Sequence, residues 1–222
     1  MLETEAQSSR TLRRERRAVR PQRATFTNRA RRAQIVESAI DTIVQLGYAK
    51  ASFAQIAERA GLSSTRLISY HFAEKDDLIQ EVLSTAVGRF TDHVRPRVDA
   101  ETTPSAKLRT ALEANVDFLR SHGRDVVTLQ EIQRNYRTAD GRPVMAQRAE
   151  EDLKVIDEWL RQGQRQGEFR RFNTQAMALF ILSLRNGVIQ RYHVKPDLDL
   201  DTIARELTTL VDLATRRPNR RK

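Results

Sequence analysis

At 222 residues, 39% of them hydrophobic, the chain is long enough to bury a sizeable core in one large or two modest domains. It has no cysteine, which excludes disulfides and thiolate metal sites, and its longest apolar stretch, residues 176–184, is too short to span a membrane and runs into Arg185. The net charge of +10 sits at the ends: residues 1–32 hold ten Arg against three Glu, residues 215–222 hold four Arg and one Lys, and the stretch between is close to neutral.

Eight Gly, six Pro, 31% charged residues and little β-branched alternation predict an all-α protein. Residues 1–28 are Arg-rich and poor in large apolar groups, so a disordered arm suited to following phosphates is expected there. That arm lacks the apolar core of a secretory signal, and a soluble, cytoplasmic protein is expected. From Asn28 to Leu46, Ile35, Ala39 and Ile43 interleave with Val36, Ile40 and Val44 as one broad helical stripe, which Gly47 ends and Tyr48 covers.

Ser52 followed three residues later by Gln55 has the capping-box pattern, and Phe53, Ile56, Ala57 and Ala60 then share one helical face. Gly61 provides a tight turn, Leu62 plugs the angle between two helices, and Ser63 or Ser64 is placed to cap a second helix that carries Leu67 inward. This is a helix-turn-helix pattern. Its outward positions, Ser63, Ser64, Thr65, Arg66 and Ser69, are short polar groups plus one Arg, suited to phosphates and base edges.

A long amphipathic helix follows, with Leu78, Ile79, Val82, Leu83, Ala86, Val87 and Phe90 on its apolar face. Lys75, a cation where the helix dipole favours anions, hints at an external phosphate. Pro96 and Pro104 bracket a break, after which helical stripes cover residues 105–119, 125–136, 144–162, 173–188 and 201–215, with residues 138–143 as a turn and 162–173 as a polar connection. The helix after Asn173 is apolar on nearly all sides and must be buried on more than one face. His71, His93, His122 and His193 have no metal-type spacing, and Asp197, Asp199 and Asp201 favour a helix start rather than a calcium loop.

Several features occur together in the run from Arg31 to Leu83: Leu46-Gly47-Tyr48, the Ile56-Ala57 and Ala60-Gly61 pairs, Tyr70-His71-Phe72, and Lys75-Asp76-Asp77-Leu78. On these motifs residues 29–89 resemble the N-terminal domain of the TetR family of transcriptional regulators. The resemblance implies an N-terminal three-helix helix-turn-helix DNA-binding domain at 29–89, a C-terminal helical ligand-binding and dimerisation domain at 90–215, and a basic tail at 216–222. By position, it implies that Ser63, Ser64, Thr65, Arg66 and Ser69 face the DNA groove and that Ser52, Tyr70, His71 and Lys75 contact phosphates. One departure stands out: Gly61 to Phe72 is one residue longer than the family's usual spacing, so the second helix either starts later or contains a bulge.

An effector pocket between helices would draw on the large side chains Phe90, Phe118, Tyr136, Trp159, Met177 and Phe180. Glu113, Asp117 and Glu131 would either favour a cationic ligand there or be solvated. The expected function is a repressor that binds a palindromic double-stranded DNA operator as a homodimer, paired through its last two helices, and is released by a small-molecule effector. No catalytic set, metal or cofactor is implied. The alternative is a helical effector-binding or adaptor protein whose basic tails contact membrane or partner surfaces.

Overall fold

The apolar stripe that opens the chain's ordered part forms helix α1 over residues 27–46, and its Ile35, Val36, Ala39, Ile40 and Ile43 are buried. The computed structural model describes residues 27–137, 141 and 144–217; the arm expected at 1–28, the turn at 138–143 and the tail at 216–222 lie largely outside the described residues. Among the described residues the regular elements are helical, with a short 3-10 turn at Tyr48–Lys50 after Gly47. The others are α2 Phe53–Arg59, α3 Arg66–His71, α4 Lys75–Asp99, α5 Pro104–Ser121, α6 Gly123–Asn135, α7 Ala146–Gln166, α8 Thr174–Val194 and α9 Leu200–Thr215.

Two cores organise these helices. The first joins α1, α2 and α3 to the N-terminal half of α4 around Ile40, Ile56, Ile68, Phe72, Leu78 and Ile79. Ile132 of α6 and Tyr136 just after it enter the same cluster, so the second half of the molecule is packed into the first. The second core gathers α5, α6, α7, α8 and α9 around Leu108, Leu112, Phe118, Leu160, Ile181 and Leu207. Because α4 belongs to the first core through Leu78 to Leu83 and reaches Phe90 beside the second, one unbroken helix links both.

Three features differ from the sequence expectation. The helix of α4 runs through Pro96 to Asp99; Pro96 forfeits a single intrahelical bond on an exposed face, and buried Val98 holds the last turn down. Helix α7 continues past residue 162 because Gly163 is buried where a Cβ would overlap the Phe169 ring, so this glycine admits a neighbour rather than ending the helix. The stop falls at Gly167, left-handed at φ 78°, with the Glu168 N–H donating to the Gly163 carbonyl at 2.9 Å. Thirdly, α8 buries Ala178, Ile181 and Leu182 but leaves Leu179, Phe180 and Leu184 exposed on a single protomer. Caps at Asn173 and Asp199 accept from the Ala176 and Thr202 backbone N–H groups at 2.9 and 3.0 Å.

Candidate nucleic-acid interface and interior cavity

The α2–α3 unit is built from local chemistry. Ser52, in extended backbone, accepts the Gln55 N–H on its hydroxyl at 3.3 Å, and α2 then buries Ile56 and Ala57. Gly61 takes φ 62°, which lets the Leu62 N–H donate to the Ala57 carbonyl at 2.9 Å and closes the helix end. The extra residue before Phe72 is absorbed in the turn rather than as a bulge. Helix α3 starts at Arg66, and its N-cap position is Thr65, with no side-chain cap bond, in place of the expected Ser63 or Ser64.

This shift turns the helix. Phe72 is buried, and the residue four positions before it on the same face is Ile68, whose carbonyl accepts the Phe72 N–H at 2.9 Å. Ile68 is therefore fully buried, whereas Leu67, expected to point inward, is 40% exposed. Burial of an isoleucine contributes roughly 1.5–3 kcal/mol, enough to set the register of a six-residue helix that has no side-chain cap. Ser63, Ser64, Thr65, Arg66, Ser69 and Tyr70 are exposed along with Leu67, and Tyr70, at 75%, is the more exposed of the two large hydrophobic side chains. Leu67 is thus a groove-facing candidate that the sequence reading missed, as an apolar group suited to a thymine methyl.

The expected phosphate contacts differ in their readiness. The Ser52 hydroxyl is exposed and, having accepted from Gln55, still has its hydrogen to donate. Burial, with Arg32 and Arg31 nearby, lowers the His71 pKa, so near neutral pH its ring is an uncharged partner rather than a cation. Lys75 is half-buried, its Nζ 3.4 Å from the Tyr48 carbonyl oxygen and 4.6 Å from the Tyr48 ring centroid, and burial lowers its pKa. Arg32, one of the Arg-rich run, instead holds the end of α3 against α1 and α4 as one N-terminal head. It donates to the His71 carbonyl at 2.7 Å, pairs with Glu81 at 3.1 Å and lies 4.1 Å over the Phe72 ring. Its partners are 39 and 49 residues away, so local pattern carries no signal for this role.

Helix α6 joins this head to the rest. The Glu131 carboxylate accepts the Tyr48 N–H at 3.1 Å and lies 3.6 Å from His193 of α8. Arg124 reaches Glu37 and Asp41 of α1, each at 2.8 Å, and buried Asp125 pairs with Arg89 of α4 at 2.9 Å.

On its other face α6 borders a chamber of about 160 Å³, formed with α4, α5, α7 and α8, which adjoins a second chamber of about 340 Å³ between α4, α5, α7 and α8. Both are lined by Phe90, Asn115, Arg148, Asp152 and Arg185. Of the expected pocket residues, Phe90 lines both chambers, Trp159 the larger and Phe118 the smaller. The other three lie elsewhere. Tyr136 is buried in the first core, 6.2 Å from Tyr48 between ring centroids; Met177 packs on the second core; Phe180 points outward at 60% exposure. Asp117 and Glu131 are engaged by Arg97 and Tyr48, and neither they nor Glu113 lines these chambers.

The family model described as the tetracyclin repressor-like C-terminal domain matches residues 101–213, and that of the bacterial regulatory proteins of the tetR family matches residues 35–82. The chain belongs to the TetR family. Similar relatives include the HTH-type transcriptional regulators BetI of Paraburkholderia phytofirmans, 34% identical over 42% of this chain and 48% of the relative, and of Stenotrophomonas maltophilia, 33% identical over 42% and 47%. The chain thus spans about half the length of these TetR relatives. Among solved structures, the ketosteroid transcriptional regulator KstR2 of Mycobacterium tuberculosis superimposes with a TM-score of 0.71 at 20% identity, covering 85% of this chain and 96% of that one. AibR, solved in complex with isovaleryl coenzyme A and operator DNA, gives 0.69 at 22% identity, covering 81% and 97%. At these identities the solved structures show a shared TetR fold alone.

Proposed function

We propose that this TetR-family chain is a transcriptional repressor that binds a palindromic operator as a homodimer and releases it when a small molecule occupies the adjoining chambers between α4, α5, α7 and α8. The observation that carries the reading is the short α3 whose outward side chains, Thr65, Arg66, Leu67 and Ser69, are exposed while Ile68 and Phe72 lock its inner face. In that arrangement Arg66 and its neighbours read base edges, while Ser52, Tyr70, His71 and Lys75 meet phosphates. Two copies of α3 would sit in successive major grooves, roughly 34–36 Å apart. The relative solved with an acyl thioester and operator DNA supports the pairing of the two activities.

Dimerisation is assigned to α8 and α9. Leu179, Phe180 and Leu184 on α8 and Leu210 and Leu213 on α9 are exposed, an apolar excess that a partner copy would cover. Residues 29–89 are assigned to DNA and 90–215 to effector and partner, with α4 continuous across position 90.

Selection of genomic fragments with the purified full-length protein at near-physiological salt tests this function. A recovered palindrome, with base preference relaxed by Arg66→Ala and binding merely weakened by Lys75→Ala, supports it. Fragments held without a common motif and lost as salt rises would leave only the basic ends as binders and favour the adaptor alternative.

A further inference from the structure

The chambers share a polar junction, and the walls of the larger one are mainly apolar. Val98, Leu108, Leu112, Ile156, Trp159 and Leu182 line the larger one, and Arg148, Asp152, Arg185 and Asn115 stand where it meets the smaller. The charges at that junction do not cancel. Asp152 is committed to Arg185 through a 2.9 Å ion pair, both side chains being mostly buried. Arg148 has no carboxylate partner among the described residues: its contacts are a 3.4 Å approach to the Thr91 hydroxyl and a position 5.6 Å over the Phe90 ring. The Arg185 Nε–H is buried with no hydrogen-bond partner among the described residues.

A buried guanidinium N–H without an acceptor costs stability, and an arginine without a counter-charge beside it adds to the demand for an anion. We propose that the effector is an amphipathic anion whose apolar body fills the larger chamber and whose anionic head accepts from the guanidinium groups of Arg148 and Arg185 at the junction. The assignment deepens the proposed function and rests on it for the word effector, though not for binding. Arginine suits such a head because its N–H groups form a planar fork that matches carboxylate or phosphate oxygens. Asp152 offsets the charge of Arg185 and leaves the junction with one net positive charge, which suits a head carrying a single negative charge. The volume of about 340 Å³ fits a body the size of a medium acyl chain or a small ring system, at the lower end of ligand sites, which run to roughly 300–1,000 Å³.

Trp159 is the single tryptophan of the chain and lines the larger chamber, so its emission reports occupancy without DNA. Octanoate, octyl phosphate, 1-octanol and octylammonium are titrated into the full-length protein while Trp159 fluorescence is followed. The anions are expected to bind about tenfold or more tighter than the alcohol, and the ammonium weakest. Whichever of octanoate and octyl phosphate is tighter assigns the head as carboxylate or phosphate. In Arg148→Gln, and in the charge-balanced pair Arg185→Gln with Asp152→Asn, the ratio of octanoate to octanol affinity should collapse towards one. Equal binding of alcohol and anion, tighter binding of the ammonium, or no change in Trp159 emission with either anion overturns the proposal. If the same preparation then holds a selected palindrome, this inference alone has failed; if the anions bind but no operator is recovered, the repressor reading has failed and the anion site stands.

Discussion

The backbone N–H of Tyr48 donates to the Glu131 carboxylate across 3.1 Å, which ties the turn before α2 to α6, the helix that borders the smaller chamber. Gly47 makes this possible, because it adopts φ 77° and a Cβ there would stand 3.3 Å from the same carboxylate oxygen.

Removing the acceptor should uncouple the two ends. Glu131→Ala leaves the Tyr48 N–H unpaired, and the ratio of operator dissociation constants with and without effector should fall by about fivefold or more, since coupling energies run to roughly 1–3 kcal/mol. Helix content by circular dichroism should be unchanged. An unaltered ratio would show that coupling does not depend on the Tyr48–Glu131 hydrogen bond.

Ile68 and Leu67 make a second test. Ile68→Ala opens a cavity in the first core and should destabilise the protein by about 2–5 kcal/mol in denaturant unfolding, whereas Leu67→Ala should cost under about 1 kcal/mol. Leu67→Ala should instead change the preferred base at one operator position, read by selection from a degenerate site. The reverse order of stabilities would place α3 in the other register.

For the proposed dimer, Phe180→Glu combined with Leu213→Glu places like charges on the exposed apolar face of α8 and α9. Light scattering should report a monomer with native helix content, and operator affinity should drop by at least about a hundredfold, since each half-site then binds alone. A variant that remained dimeric would move the interface elsewhere.

Acid should loosen the α4–α5 contact in two steps. His93 is mostly buried among Arg97, Asp117 and His122, and burial first, then Arg97, lowers its pKa below the ordinary 6.5. Folding therefore favours the neutral ring; that stability is complete above pH 6.5 and is lost as pH falls through the lowered value. The Arg97 hydrogen bond lowers the Asp117 pKa below 3.8, so its contribution is lost only at still lower pH. Unfolding midpoints against pH should show both declines. His93→Gln should shrink the first, leaving the share of His71, whose pKa is lowered in the same direction.

Much of this architecture is legible from spacing alone. The stripe of α1, the Ser52 cap, the turn at Gly61 and the caps at Asn173 and Asp199 each depend on residues within five positions of one another, and the structure holds them as expected. The failures share a different cause. Leu67 and Ile68 are both apolar, and only the anchoring of Phe72 in a core built by α1 and α4 decides which turns inward. Gly163 reads as a breaker until Phe169 is seen to need its space, and Phe180 reads as a pocket residue until its helix is seen to have two apolar faces. The Arg148, Asp152 and Arg185 junction had no sequence signal, because its members lie 33 or more positions apart except for one adjacent turn of α7.

The continuity of α4 sets a gear ratio. Its 25 residues, at about 1.5 Å each, form a rod of about 37 Å with Val98 at the chamber end and Lys75 at the reading end. If the rod pivots by about 5° near Val98, Phe90 moves by about 1 Å and Lys75 by about 3 Å, from the same rise per residue. Were a ligand to shift the chamber wall by less than the width of one atom, the far end of α4 would therefore move about three times as far, and a duplex that fixed that end would limit the chamber with the same leverage in reverse.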